Sequence, residues 1–402
     1  MEDKATNKGP LAGVKILEMG QLIAGPFCAR LMAEFGAEVI KIEPPGSGDP
    51  LRTWRKLHKG TSLWWYAQAR NKKCITVNLR SEEGQEIVRR LAKDADIVIE
   101  NFRPGAMEKW NLGYDKLSAE NPGLIMVRLS GFGQTGPYKD LLGFGAIGES
   151  MGGMRYVTGY PDRAPVRVGI SLGDSLAAMY GVIGALMALH HRNVNGGKGQ
   201  VVDVALYEAV FSMMESMLPE YGMSGFVRER SGASLPGIVP SNTYPTKDGK
   251  YVVIGANGDS IFKRLVLAIG RPDLAEDPSI ADNAGRVART EELDKIIGDW
   301  TSQHSLDEVL KVLEKAQVPS GKIYSIADIV ADMHYQARGM IEKNKLNADE
   351  DLLLPGIVPK LSATPGQTRW IGPQLGEHTA SVLASIGIDE TRQKALRDKG
   401  VI

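Results

Sequence analysis

Short apolar runs of strand length recur through the first half of the chain, and stretches with helical period separate them. Residues 14–19, 38–43, 74–79, 96–100 and 124–129 read as strands, because apolar and β-branched residues fill them. After the first of these, a loop over 20–25 leads to Pro26, which takes the favoured first position of a helix running to Phe35. Gly36 stops that helix. Ser81 caps another, with Glu82, Glu83 and Glu86 near its positive end. Strands interleaved with helices imply βαβ units and a mostly parallel sheet. In such sheets ligands bind outside the carboxyl ends of the strands, where this chain has loops rich in Gly and Pro.

A long helix is expected over 175–190, with small residues Ala177, Gly181 and Ala185 at four-residue spacing as a smooth packing face. Its length and polar flanks favour a buried helix over a membrane span. A strand over 199–206 and a helix over 207–217 follow. From about Met223 the pattern changes. Strands at 242–244 and 251–255, joined by the turn Lys247-Asp248-Gly249-Lys250, precede helices at 260–269, 290–301 and 305–316. The expected fold is therefore α/β with a second, smaller α+β domain, and the expected segments are 1–222, 223–325 and 326–402.

With 402 residues, 43% hydrophobic and 24% charged, the composition is that of a globular protein too long for one ordinary core. Lys plus Arg equals Asp plus Glu at 48 each, which points away from nucleic acid and anionic membranes as partners. The first eight residues hold no apolar signal core, and no later stretch reads as apolar enough to span a bilayer. Two distant cysteines, Cys28 and Cys74, suit a reduced cytoplasmic setting. No metal-ligand spacing, Walker loop, dinucleotide fingerprint or Gly-x-Ser-x-Gly elbow is present, so no metal is expected.

Two features carry candidate chemistry. In the run Val168-Gly169-Ile170-Ser171-Leu172-Gly173-Asp174-Ser175, a single carboxylate sits between a Gly-containing turn and an apolar helix. Taken alone, Asp174 reads as an N-cap before it reads as a nucleophile. Glu100-Asn101-Phe102-Arg103-Pro104-Gly105 follows a strand, with Lys109 one turn on. Arg103 and Lys109 can meet phosphates and Asn101 a base or a pantetheine amide, although solvated surface charge is the ordinary fate of such residues. The exit over 41–50 can wall the same cleft or form a rigid turn. Trp54, Trp64, Trp65 and Tyr66 read as packing.

Several segments together resemble the family III CoA-transferases, over essentially the whole chain. They are Ala24-Gly25-Pro26, Gly36-Ala37-Glu38-Val39-Ile40-Lys41-Ile42-Glu43, Asn71-Lys72-Lys73, Glu100 to Gly105, and Ser130-Gly131-Phe132-Gly133-Gln134-Thr135-Gly136-Pro137-Tyr138. Gly197-Lys198-Gly199-Gln200 with Asp203, and Leu375-Gly376-Glu377-His378-Thr379, complete the set. The resemblance implies a Rossmann-like large domain built from both chain ends, a smaller inserted domain, and an interlocked homodimer. It implies that Asp174 is a nucleophile forming aspartyl anhydride and aspartyl-CoA thioester intermediates. The Gly-containing loop over 231–237 is then a source of amides for the oxyanions. It further implies CoA contacts at Ala24, Val77, Leu79, Arg80, Asn101, Phe102, Arg103 and Lys109. Coenzyme A and acyl-CoA enter as substrates, with no tightly bound cofactor.

The implied reaction moves CoA from an acyl-CoA, with succinyl-CoA as the suggested donor, to a small dicarboxylic acid. Arg52, Arg55, Arg155 and Arg167 are cationic candidates for its second carboxylate. Racemases of the family carry a His-Asp pair where this chain has Phe144-Gly145, so abstraction of an α-proton lacks its second acid/base. Racemisation is the alternative within the family, and a non-catalytic CoA-binding protein is the alternative from another class.

Overall fold

A computed structural model describes residues 9–402. Six strands form the central sheet: β1 (Lys15–Glu18), β2 (Glu38–Glu43), β3 (Lys72–Thr76), β4 (Ile97–Glu100), β5 (Ile125–Ser130) and β6 (Val201–Ala205). Their order is β3-β2-β1-β4-β5-β6 and every pairing is parallel. The chain builds outward from β1 to β3, then returns to lay β4 on the other side of β1. That reversal makes the carboxyl ends of β1 and β4 the topological switch point, where a crevice opens in sheets of this kind.

Successive side chains leave a strand on opposite faces, so each strand feeds two cores. Leu17, Ile42, Val98 and Met126 pack with Ile87, Val88 and Leu91 of the helix Glu82–Lys93 and with Leu383 and Leu396 near the C-terminus. On the other face Ile16, Val39, Ile97 and Val127 meet α1 (Ala24–Glu34) and the long helix α2 (Leu172–Val194). Strands covered on both sides explain why the apolar runs are nearly continuous.

By length and composition the 23-residue α2 is apolar enough to cross a membrane, which corrects the expectation that no stretch qualifies. It packs instead on the sheet through Ala177, Ala178, Gly181, Ala185 and Ala188. A Cβ on Gly181 would lie 3.1 Å from Cys28 Sγ and 3.3 Å from side-chain carbons of Val127 and Leu129. The helix expected over 207–217 stops early: Leu206–Phe211 is one helix and Met217–Ser224 another. Glu215 between them has φ +49°, a left-handed conformation that breaks helical continuity. β3 begins earlier and ends earlier than the expected 74–79. Past Val77 the chain turns, and the Asn78 N–H donates to Val401 O at 2.8 Å.

The chain divides into two compact units. The larger takes the residues up to Met154 together with Val168–Gly225 and Gly339–Ile402; the smaller takes Arg155–Arg167 and Phe226–Arg338. These limits differ from 222/223 and 325/326 for local reasons. Arg230 Nη1 donates to Tyr156 O at 2.8 Å, and Gly232 N–H donates to Gly159 O at 2.9 Å, which ties 155–167 to the smaller unit. Lys322 pairs with Asp328 at 3.1 Å, which keeps the helix Ile326–Ala331 there too. Three antiparallel strands form its sheet: β7 (Ser241–Pro245), β8 (Tyr251–Gly255) and the unforeseen β9 (Ser320–Lys322), in the order β9-β8-β7. Val252 and Ile254 point into a core with Leu265, Ile297, Val309 and Leu313.

Buried charge organises the carboxyl end of β1 in the larger unit. Glu18 accepts from Lys41 Nζ at 2.8 Å and pairs with Lys72 Nζ at 2.7 Å. Lys41 also reaches Asp49 at 2.8 Å and Gly20 O at 2.8 Å, and Lys72 reaches Pro26 O at 2.6 Å. All four side chains are withdrawn from water. Burial alone would lower the Lys41 pKa, but the Asp49, Glu18 and Glu43 carboxylates hold it above its ordinary value. Removing one member strands the others' charges. Glu18→Ala is expected to cost about 3–5 kcal/mol in denaturant unfolding. A loss below about 1 kcal/mol would show the network to be energetically neutral.

Candidate active site

The loops at the switch point are joined by side chains. Asn101, just past β4, accepts from Gln21 N–H at 2.7 Å through Oδ1 and donates through Nδ2 to Gln21 O at 2.9 Å. The close approach leaves no room for a side chain at Gly20, whose Cβ would lie 3.0 Å from Gly25 Cα and 3.1 Å from Asn101 Oδ1. Asp49, in the loop after β2, caps the turn Pro50–Thr53 and accepts from Leu22 N–H at 3.0 Å. Lys41 holds Asp49 and Gly20 from beneath. Burial pushes the Glu100 carboxyl up to about 7, against Arg128 at 2.7 Å and the Phe102 N–H at 2.7 Å, which favour its anion.

Asp174 is not the N-cap of α2. The helix starts two residues before it, with Ser171 in the cap position and no side-chain cap bond from that serine. Asp174 is the third helical residue, half-buried in the first turn. Glu149, from the short helix Gly145–Met151, is 1% exposed and its Oε1 accepts from Gly173 N–H at 3.3 Å. One orphan amide of α2 is thus satisfied from outside the helix. Further along, Gly181 lies against Val127 and Leu129 of β5, and Gly184 lies against Val202 at the start of β6. α2 therefore descends from the carboxyl ends of the strands, and its N-terminus with Asp174 stands at the same end of the sheet as the loops.

The residues expected to touch CoA differ in their surroundings. Arg80, Arg103 and Lys109 are exposed, and Arg103 Nη2 donates to Asp140 O at 3.2 Å. Ala24 and Val77 are core residues; Ala24 begins α1 instead of lying in a loop, so their side chains face apolar neighbours. Leu79 and Phe102 pack at the edge of the core, Phe102 edge-to-face with Trp110 at 5.0 Å. Asn101 bridges to Gln21 through both atoms of its amide. Among the arginines, Arg52 is committed: it pairs with Glu43 at 2.7 Å and stacks 3.7 Å over the Trp65 ring. Arg55 lies 4.8 Å over Trp64, while Arg155 and Arg167 belong to the smaller unit. Cys28 and Cys74 are buried, and burial pushes both thiols up, so neither offers a thiolate near neutral pH.

Residues 11–379 match the family model of CoA-transferase family III. The chain belongs to the family III CoA-transferases. It is 51% identical over 395 residues, 98% of each chain, to the succinyl-CoA–D-citramalate CoA-transferase of Chloroflexus aurantiacus. The beta subunit of the succinyl-CoA–L-malate CoA-transferase of that organism is 42% identical over the full length of both chains, 100% of each. The succinate–glutarate CoA-transferase of Agrobacterium fabrum is 35% identical, covering 96% of this chain and 98% of the relative. A crystal structure of a CaiB/BaiF family protein from Brucella suis has the same fold, with a TM-score of 0.83 at 35% identity over 94% of this chain and 99% of that one.

Two residues of this CoA-transferase beside Asp174 carry no motif. Glu149 is marked in sequence only as a single carboxylate inside the small-residue run from Gly145 to Gly153. Gly145 in that run faces Asp174 itself, and a glycine shows no such partner until the helices are packed.

Proposed function

We propose that the enzyme transfers CoA from succinyl-CoA to a small dicarboxylic acid by covalent catalysis on Asp174. The placement of Asp174 carries this reading: a half-buried carboxylate in the first turn of α2, at the carboxyl end of a parallel sheet. The substrate class rests on the citramalate, malate and glutarate named for the relatives.

An Asp174 oxygen attacks the thioester carbonyl carbon; the C–S bond breaks and CoA leaves as thiolate. The thiolate attacks the aspartyl carbonyl of the resulting anhydride and releases the donor acid as its carboxylate. The acceptor carboxylate then attacks the aspartyl thioester, again freeing thiolate. Attack of that thiolate on the acyl carbonyl of the second anhydride yields the new acyl-CoA and regenerates the Asp174 carboxylate. Each step exchanges one acyl bond, so neither redox chemistry nor a proton relay is required. The helix N-terminus favours the carboxylate form, by about 0.3–1 kcal/mol at exposed sites. Phe144 and Gly145 supply no acid/base, which suits transfer and not racemisation.

CoA occupies the loops after β1, β3 and β4, with Arg80, Arg103 and Lys109 toward its phosphates. The enzyme acts as an interlocked homodimer. In support, α2 exposes Met179, Ile183 and Met187, and Phe211 and Met213 beside it are also exposed, an apolar face large for a monomer.

Asp174→Ala is expected to unfold within about 1 kcal/mol of the parent while transfer from succinyl-CoA to a panel of dicarboxylic acids, read by mass spectrometry, falls to background. Retained turnover in that variant would sink the mechanism. Light scattering is expected to give a dimer mass, and Met187→Glu to raise the monomer fraction; a monomeric parent with full turnover contradicts the assembly.

A further inference from the structure

We infer that Arg128 is a positioning residue for CoA: from β5 it fixes the one-turn helix Ala106–Lys109, and with it the ammonium of Lys109. This inference rests on the reading that places Lys109 toward the CoA phosphates. Arg128 pairs in register with Glu100, the last residue of β4, and is 7% exposed. Its Nε donates to Glu100 Oε1 at 2.7 Å. Its two remaining nitrogens grip Glu108 as a fork, Nη1 to Oε1 at 2.8 Å and Nη2 to Oε2 at 3.2 Å. Each nitrogen thus meets a carboxylate of the protein, so Arg128 acts on a ligand through what it holds.

It holds both ends of the segment 100–109. At the near end, Glu100 Oε2 accepts from Phe102 N–H at 2.7 Å, which fixes the turn out of β4. At the far end, Glu108 directly precedes Lys109, so the fork lies one residue from the exposed ammonium. A single helical turn does not hold itself, because nucleation costs more than its few hydrogen bonds return. This one starts at Gly105, with φ +82°, and has no side-chain cap bond. Its other anchors are apolar: Met107 is fully buried, and Trp110 just past the helix meets the Phe102 ring edge-to-face. Apolar burial has no direction and sets how deep the turn lies. The fork is directional and sets its rotation. Gly113 closes the other side, since a Cβ there would lie 3.0 Å from Glu108 Cγ and 3.1 Å from its Oε1.

Position and charge act in opposite directions at this helix. Glu108 is an anion next to Lys109. On charge alone, removing it makes the surroundings of the phosphates more positive and tightens CoA binding. If the fork places Lys109, removing Glu108 weakens CoA binding instead. The sign of the change therefore separates the two.

The test is Glu108→Ala in the full-length enzyme, set beside Lys109→Ala and the double variant. Arg128 stays in place, because its loss would strand the buried Glu100 and disturb the fold. Glu108→Ala is expected to raise the dissociation constant for CoA and the KM for succinyl-CoA on the order of tenfold, with kcat within about twofold of the parent. Succinyl-pantetheine, which carries no phosphate, should turn over equally in the parent and the variant. In the Lys109→Ala background, the change at 108 should add less than about twofold to the dissociation constant. Unchanged or tighter CoA binding in Glu108→Ala, with binding weakened in Lys109→Ala, overturns the inference and leaves the placement of the phosphates standing. An equal loss on succinyl-pantetheine also overturns it, because the damage would then be to the fold. If Lys109→Ala binds CoA as the parent does, it is the placement of the phosphates that fails, and the inference falls with it.

Discussion

The site hangs on a buried ionic network beneath the carboxyl end of β1. Glu18 lies between Lys41 of β2 and Lys72 of β3, and Lys41 extends to Asp49 and Gly20 O. Charges withdrawn from water are tolerated only when each is matched in place, so the network admits one arrangement of three strands and two loops. The loop after β1 is held from below by Lys41, from one side by Asp49 and from the other by Asn101. A ligand meeting these loops at the switch point meets a surface that is already set.

Asp174 is set by a different means. Gly145, Gly148, Gly152 and Gly173 let three helices approach closely beside it. Glu149 takes over a capping bond that the helix's own Ser171 leaves unmade. Glu149 thus meets the helix end beside Asp174. Rigid charge pins the loops and close packing surrounds Asp174. Both suit the covalent route proposed for Asp174, in which the aspartyl carbonyl is attacked more than once in turn.

Much of this was legible in the chain. Alternating strand and helix patterns identify the parallel sheet because buried strands need continuous apolar runs, and those survive any change of partner. Boundaries suffered where tertiary contacts override local signals, as at Thr76, where the next residues bond to the C-terminus. Some of the residues that carry the family resemblance hold the fold together. Asn71 donates to Gln367 O at 2.7 Å and accepts from Arg369 N–H at 2.7 Å, and His378 N–H donates to Cys74 O at 3.0 Å, so both staple the C-terminal segment over the edge of β3. Asn101 belongs with them, as a bridge across the switch point. Asp174 looked like a cap because the true helix start, Leu172-Gly173, has poor helix-starting chemistry and depends on Glu149. Neither Glu149 nor Gly145 could be recognised from spacing, because their role exists only once three helices meet.

The central claim is that Asp174 becomes covalently attached during turnover. It is tested most directly by incubating the native enzyme with succinyl-CoA, trapping with hydroxylamine, and mapping the peptides by mass spectrometry. The account predicts a hydroxamate on Asp174 that appears only in the presence of the thioester. Its absence under turnover, or its appearance on another carboxylate such as Glu149, would contradict it.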